Sequence, residues 1–231
     1  MRLQRSRCWG SYTRVDAALT LGRSARPWRA ILPVTMSSFD IALSIALGIG
    51  LAAAVGLRVF LPLLVASVAA YTGHLQLSGS FVWLGSLSAM TMLGVAAIAE
   101  VLAYYIPAVD NLLDTITTPV ALIAGTLVSA AVMVDLPPIV KWTAAIIAGG
   151  GAAGLTQGVT ALLRAKSTAL TAGLGNPIVA TAELGGALLL SALALIAPFI
   201  ALALVVVFLW LAVRTVRRLR SRTRDEAIHD E

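Results

Sequence analysis

The chain has 231 residues, of which 59% are hydrophobic and only 12% are charged. Soluble domains are about half apolar and about a quarter charged, and disordered chains are less hydrophobic still, so this composition excludes both classes. At about 20 apolar residues per transmembrane helix, the length suits about six spans. We therefore expect an all-α fold, a polytopic transmembrane helix bundle.

The net charge of +6 comes from one end of the chain. Residues 1–35 hold seven arginines and one acid, Asp16, whereas from Met36 onward ten basic and ten acidic residues balance. Six of those ten basic residues are arginines between Arg214 and Arg224. Basic residues beside apolar spans are typical of cytoplasmic helix ends and of segments near anionic lipids. We therefore expect the lipid bilayer, and not nucleic acid, as the partner of these charges.

The first 35 residues differ in composition from the rest. They lack an apolar core long enough for a secretory signal, and their arginine and serine content also fits a mitochondrial transit peptide. Met36 opens a compact membrane-protein start, MSSFDIALSIALG. We predict that 1–35 is either a disordered cytoplasmic arm or a mis-assigned start. Residues 36–219 then form the transmembrane helical domain, and 220–231 form a charged cytoplasmic tail.

Five apolar stretches follow Met36. The first, 41–71, is too long for one straight span and contains Gly56, Arg58 and Pro62, so we expect a broken or kinked first span. The next three run over about 81–105, 110–134 and 139–164.

The last stretch, 178–213, is long enough for two spans, and Pro198 lies near its middle. Proline suits the start of a helix and not its interior, so we predict two helices that meet near Ala197. The alternative is one tilted, kinked helix. Six spans with both ends in the cytoplasm leave only Lys141 outside among the flanking basic residues, which agrees with the positive-inside rule.

Small residues recur at four-residue spacing in the fourth stretch. Gly150, Gly154 and Gly158 lie on one helical face, where they would let two helix backbones approach closely. We interpret this face as packing within one bundle. The alternative is the face of a homo-oligomer.

Charge is costly within an apolar span, and Arg58, Glu100 and Glu183 are the charged residues that need a reason there. Arg58 is interpreted either as a fixed cation that binds an anion or carboxylate, or as a side chain that reaches the headgroups. Glu100 and Glu183 are interpreted either as a proton relay or cation site, or as acids that hold the bundle through hydrogen bonds.

Two further polar sites lie at predicted helix starts. Asp110 and Asp114 are four residues apart on one face and could hold Mg²⁺, although acids in a first turn also satisfy free N–H groups. Asn176, before Pro177, is predicted to cap the next helix, whose N-terminus could bind an anion. We therefore list as candidate transport or polar-site residues Arg58, Glu100, Asp110, Asp114, Asn176 and Glu183.

Motifs for enzymatic catalysis are missing from the sequence. His74 and His229 have no ligand or catalytic partner at usable spacing, and Cys8 is the one cysteine. The sequence contains no HExxH, GxSxG or GxxxxGK[ST] motif. We predict no catalytic residues, no metal site and no cofactor.

Three segments carry a family resemblance: GIGLAAAVGLRVFLPLL, AEVLAYYIPAVDNLLDTITTPVALIAG and GNPIVATAE. They resemble the domain-of-unknown-function (DUF) 4126 family of bacterial integral membrane proteins, over about 39–219. The family often has an acid-and-base pair just before the Ile-Pro, where this chain has Tyr104 and Tyr105. The resemblance implies the bacterial inner membrane and implies no reaction.

Three functions remain in competition. The first is a small-solute or ion transporter or channel that uses the intramembrane carboxylates. The second is a non-transporting membrane scaffold or partner-binding subunit. The third is a lipid-linked enzyme that uses Asp110 and Asp114. The transported solute is not indicated by the sequence.

Overall fold

The computed structural model describes residues 38–134 and 136–229, and it describes side chains outside 107–115 and 216–229. Within these residues the chain forms α-helices, one 3₁₀ segment and one π-helical turn, with no strand. The all-α fold class is confirmed for this part of the chain. The predicted segment 1–35 lies outside the described residues.

Prolines begin most of the later helices, because their fixed φ suits a first turn and their missing N–H is not needed there. The elements in chain order are α1 (Ser38–Val55), α2 (Phe60–Tyr71), the 3₁₀ segment (Gly79–Gly85), α3 (Leu87–Ala103), α4 (Pro107–Val132), α5 (Pro138–Ala144), the π-helical turn (Ala145–Gly150), α6 (Gly151–Thr171), α7 (Asn176–Ile196) and α8 (Pro198–His229).

The break predicted within 41–71 is present between α1 and α2. Beyond it, α2 pairs antiparallel with α3. The start of α2 meets the end of α3 where the Val59 and Phe60 amides donate to Glu100, at 2.7 and 3.0 Å. Further along, the Ser67 hydroxyl donates to the Leu84 carbonyl, 2.6 Å away, just before α3 begins.

After the break, α2 also runs back along α1. The loop after α2 reaches the end of α4, where the Ser78 amide donates to the Ala131 carbonyl at 2.7 Å. The same part of α4 lies beside the middle of α1, because a Cβ built at Gly48 would lie 2.7 Å from the Ser129 hydroxyl. The two helices therefore form a hairpin that returns toward the end of the bundle where α1 starts.

Helices α1 and α8 run parallel. Phe39 packs against Phe199 with the rings tilted by 46° and their centroids 5.7 Å apart, Gly50 approaches Ala201, and Ala53 shares a cluster with Val205. Ser38 and the end of α8 thus lie at opposite ends of the bundle. This course differs from the predicted single broken span over 41–71, because α2 turns back. The two ends of the chain, which were predicted to lie on one side, are outside the described residues.

The predicted pair of helices in 178–213 is observed. The backbone leaves the helical conformation at Ala197, with φ −142° and ψ 72°, and α8 begins at Pro198. A Cβ built at Gly50 would lie 3.0 Å from the Ala194 Cβ and 3.3 Å from the Ala201 Cβ. Residues on both sides of the turn therefore contact the same glycine, and the single kinked helix is excluded.

Four helical segments are long and apolar enough to cross a membrane: Ser38–Val55, Pro138–Thr171, Asn176–Ile196 and Pro198–Thr215. The 3₁₀ segment and α3, bent by 67° at their junction, form a fifth when taken together. Helix α2 and the described apolar part of α4, Ile116–Val132, are shorter. The described chain thus supports a multi-pass membrane protein, and six spans stay a prediction.

Small residues bring the helices at the centre of the bundle close together. A Cβ built at Gly150 would lie 2.6 Å from the Thr126 hydroxyl, and one built at Gly154 would lie 2.5 Å from Leu122, both in α4. At Gly158 an added Cβ would meet nothing within 4 Å. Two of the three glycines therefore face a neighbouring helix of the same chain.

Candidate functional site

The break between α1 and α2 leaves backbone amide groups without helical partners, and the Glu100 carboxylate accepts hydrogen bonds from them. Both of its carboxylate oxygens accept hydrogen bonds, one from Val59 and one from Phe60. A carboxylate at a helix N-terminus also interacts favourably with the positive end of the helix dipole. Glu100 of α3 is buried, and it fixes the start of α2.

Arg58 lies in the same break and is almost completely buried, with 2% of its surface exposed. Its Nη2 atom donates to the Ala180 carbonyl of α7 at 2.9 Å and lies 3.6 Å from Oε2 of Glu183. An arginine that reached the headgroups would be exposed at its tip. The structure instead directs Arg58 into the bundle, toward α7.

Glu183 forms the central ion pair of the site with Arg164. The Nε atom of Arg164 donates to Oε1 of Glu183 at 3.0 Å, and its Nη2 donates to Oε2. Both side chains are buried. This two-point geometry uses the planar fork of the guanidinium, which matches a carboxylate. The pair links α6 to α7.

Tyr104, at the end of α3, contacts both arginines. The guanidinium carbon of Arg58 lies 3.9 Å from the centroid of its ring, and that of Arg164 lies 4.0 Å away. Cations at this distance from an aromatic face are attracted by its quadrupole. We name the group of Arg58, Glu100, Tyr104, Arg164 and Glu183 the charged cluster.

The charged cluster leaves some hydrogen-bonding capacity unused. The Nε and Nη1 atoms of Arg58 have no hydrogen-bond partner among the described residues. The two oxygens of Glu100 are occupied by backbone amides, and those of Glu183 by Arg164. Buried guanidinium nitrogens without acceptors are costly, and the Arg58 guanidinium instead lies over the Tyr104 ring.

A cavity of about 350 Å³ adjoins the charged cluster at Glu183. It lies between α1, α6, α7 and α8, and its size is within the range of small-molecule sites. The polar lining residues are Thr156, Thr160 and Glu183, and the others are Ala53, Leu57, Leu163, Val179, Ala182, Gly186, Leu190, Leu204, Val205 and Phe208. The cavity is therefore apolar over most of its wall and polar along one side.

The family model for the domain of unknown function DUF4126 matches residues 45–218, a range that contains the whole charged cluster. The chain belongs to the DUF4126 family. No curated protein and no solved structure matches it. Membership in DUF4126 assigns no reaction, so functional inference has to come from the geometry of the site.

The structure brings three of the six predicted polar-site residues of this DUF4126 chain together, namely Arg58, Glu100 and Glu183. The side chains of Asp110 and Asp114, in α4, lie outside the described residues. Within the described part of the chain, no three His, Cys, Asp or Glu side chains are grouped as metal ligands.

Asn176 does not cap α7 as predicted. It is the first helical residue, after Gly175, and its side-chain amide donates to the Thr168 hydroxyl at 3.0 Å. The helix thus begins one residue earlier than predicted, and the Asn176 side chain links α7 to α6 instead.

Sequence reasoning missed Arg164 and Tyr104. The positive-inside pattern predicts Arg164 at a cytoplasmic helix end, but it is buried because the helical segment Pro138–Thr171 extends beyond the predicted span. A usable signal was its spacing. Thr156, Thr160 and Arg164 are four residues apart and line one face of α6. Tyr104 is marked in the sequence only by the family resemblance, because it stands where the family often has a charged residue.

Proposed function

We propose that this protein is a transporter or channel for a small solute or ion, and that its charged cluster forms the polar centre of the pathway. The observation that carries the proposal is the burial of Arg58, Glu100, Arg164 and Glu183, each at most 6% exposed, in a bundle of membrane-crossing length. Charged groups are expensive at membrane depth and usually mark ion or solute paths.

The helix break beside the charged cluster also supports transport. Transporters commonly place solute and ion sites at discontinuous helices, whose free backbone groups face the binding site. Here α1 and α2 are interrupted at residues 56–59, and Arg58 lies in the interruption. The adjoining cavity supplies a volume beside these charges that a solute could enter.

For the topology, we propose a bacterial inner-membrane protein whose cytoplasmic side is the end with Arg164, Lys166 and the basic tail. Lys141 and Ser38 then face the opposite side. This orientation keeps the positive-inside bias of the residues after Met36. It follows the hairpin of α1 and α2, and it revises only the predicted position of the amino-terminal end.

The experiment that tests transport compares the full chain with two variants in proteoliposomes. We expect proton or sodium flux under an imposed gradient. Glu100→Gln should reduce it at least about tenfold, because an amide keeps the shape of the carboxylate but carries no charge. Asp40→Asn is the matched control, since Asp40 is an exposed acid in the first turn of α1, and it should keep the full flux.

Thermal stability in detergent shows whether Glu100→Gln remains folded. A folded Glu100→Gln protein with unaltered flux would remove Glu100 from the mechanism. If the correctly oriented wild-type chain carries no flux of either ion, a cation pathway is refuted. The non-transporting scaffold then becomes the better account, unless the cargo is organic.

A further inference from the structure

We propose that the cavity beside Glu183 is a binding site for an uncharged, mostly aliphatic molecule that carries a hydrogen-bond acceptor, such as a ketone carbonyl. The molecule would enter from the bilayer. Its aliphatic part would lie along the outer walls, and its acceptor would reach the Thr156 hydroxyl. This site goes beyond the proposed transport function, and its occupation does not require transport.

The cavity opens on the side of the bundle and closes toward its centre. Its outer residues include Leu163, Leu204 and Phe208, which are exposed, whereas Ala53 and Thr156 on its inner side are each at most 2% exposed. Exposed apolar side chains on helices of membrane-crossing length face the acyl chains of the bilayer. A ligand that dissolves in the bilayer can therefore enter the cavity without passing through water.

The size and the walls of the cavity favour one slender aliphatic body. The volume of about 350 Å³ is near the lower end of the range for ligand pockets, and it admits one short chain rather than the two chains of a phospholipid. Apart from Thr156, Thr160 and Glu183, the lining residues are apolar. A pocket whose walls are mostly aliphatic favours a ligand that is mostly aliphatic.

The charge at the cavity wall is already balanced, which disfavours an ion of either sign. Glu183 is the only charged residue among the described ones that line the cavity. Its carboxylate accepts hydrogen bonds from Arg164 at two points and lies 3.6 Å from Arg58. Within the charged cluster, two arginines are matched by two glutamates. A charged ligand would lose its hydration in the cavity without gaining a counter-charge, so the ligand is uncharged.

Thr156 supplies a hydrogen-bond donor that the described part of the protein does not use. The Thr156 hydroxyl is buried and has no hydrogen-bond partner among the described residues. By contrast, the Thr160 hydroxyl, one turn further along α6, donates to the Gln157 carbonyl at 3.0 Å. A buried donor without an acceptor is costly, and a ligand acceptor at Thr156 would remove that cost. This hydroxyl therefore favours a molecule with an acceptor over a plain hydrocarbon.

The test uses the full chain in proteoliposomes and photoactivatable probes of one chain length, each with a diazirine near the end of its chain. We expect a methyl ketone probe to label the cavity residues of α6, α7 and α8 saturably, with competition by the unlabelled ketone. The matched alkane should label about fivefold to tenfold less, because it offers Thr156 no acceptor. The matched ammonium and carboxylate probes should label at least about tenfold less, because each would bury a charge without a partner.

Thr156→Val separates the hydrogen bond from the shape of the cavity. Valine has nearly the shape of threonine but no hydroxyl, so labelling by the ketone should fall about fivefold to tenfold, to the level of the alkane. Labelling by the alkane and the thermal stability should both stay unchanged, because this hydroxyl makes no hydrogen bond to the described residues.

Two adjacent glycines of α7 form a matched pair that tests the location. Gly186 lines the cavity, and among the described residues a Cβ built there meets only the end of the Leu57 side chain, at 3.3 Å. Gly185 does not line the cavity, and a Cβ built there meets nothing within 4 Å. Gly186→Leu should therefore lower labelling by the ketone and by the alkane at least about tenfold, whereas Gly185→Leu should change neither. Thermal unfolding in detergent checks that both variants are folded.

Equal labelling by the alkane and the ketone would show that any hydrocarbon chain, including that of a bilayer lipid, fills the cavity, and would overturn the proposed ligand. Labelling by a charged probe as strong as that by the ketone would also overturn it, as would undiminished ketone labelling of Thr156→Val. Equal loss of labelling in Gly185→Leu and Gly186→Leu would overturn the location, and Thr156→Val keeps the test decisive if Gly186→Leu does not fold. Labelling is measured without an ion gradient, so an absence of flux refutes the transporter alone, and an absence of saturable labelling refutes the site alone.

Discussion

At the scale of single residues, the buried ions of this protein are tied to one another and to backbone groups. Glu183 receives Arg164 at two points and Arg58 at 3.6 Å. Removing one member of such a group is expensive, because it leaves an uncompensated charge in a medium of low dielectric. Removing both partners of an ion pair together costs less free energy, because no charge is left uncompensated. This difference allows the energetic coupling of the pair to be measured.

We predict that Glu183→Gln and Arg164→Gln each lower the free energy of unfolding by about 3–5 kcal/mol. The double variant should cost less than the sum, with a coupling of about 0.5–3 kcal/mol. Unfolding in mixed micelles gives these values. Lys166→Gln, at an exposed position of the same helix, is the control and should be close to neutral. Additive costs would contradict a direct pairing of Glu183 with Arg164.

At the scale of helices, stability depends on close approach at positions without a Cβ. Where α1 ends, a Cβ built at Gly56 would overlap the Ala153 carbonyl and lie 2.7 Å from the Thr156 Cβ. The same stretch of α6 meets Gly125 of α4 through the Ala153 Cβ. The three helices are therefore held together around Ala153, next to the charged cluster.

Two glycine substitutions should have opposite effects on stability. Gly56→Ala should lower the free energy of unfolding by about 1–3 kcal/mol, because a backbone carbonyl must move to admit the methyl group. Gly158→Ala, where the added Cβ meets nothing within 4 Å, should raise it by about 0.5–1 kcal/mol through helix propensity. Thermal unfolding in detergent measures both. Equal changes in the free energy of unfolding at the two positions would show that the close contacts at Gly56 do not oppose an added methyl group.

At the scale of the whole molecule, the hairpin of α1 and α2 decides at which end of the bundle Ser38 lies. Five helical segments follow it in the described chain: the 3₁₀ segment with α3, then α4, α5 with α6, α7 and α8. An odd number of passes after a hairpin puts Ser38 and the end of α8 at opposite ends of the bundle. A broken but continuous first span would put them at the same end.

Single cysteines in a Cys8→Ser background separate these two arrangements. Ser38→Cys and His74→Cys, at exposed positions before and after the hairpin, should react with a membrane-impermeant maleimide from the same side. Leu174→Cys, in the exposed turn between α6 and α7, should react only from the other side. If Ser38→Cys instead reacts with the maleimide from the same side as Leu174→Cys, then 41–71 is one span and the proposed topology is wrong.

The sequence by itself determined the membrane class, the all-α fold, the family and the break near Arg58. Composition, the length of apolar stretches and the positions of proline can all be read without knowing which residues contact one another. The sequence also marked Arg58, Glu100 and Glu183, since charge within apolar sequence is visible without coordinates.

Only the tertiary structure decided which groups pair. That α2 turns back, that Arg164 is buried against Glu183, and that Tyr104 contacts both arginines depend on how helices far apart in sequence pack. Periodicity and composition carry no information about such pairings. The cavity beside Glu183 is likewise formed by four helices, and it exists only once they are assembled.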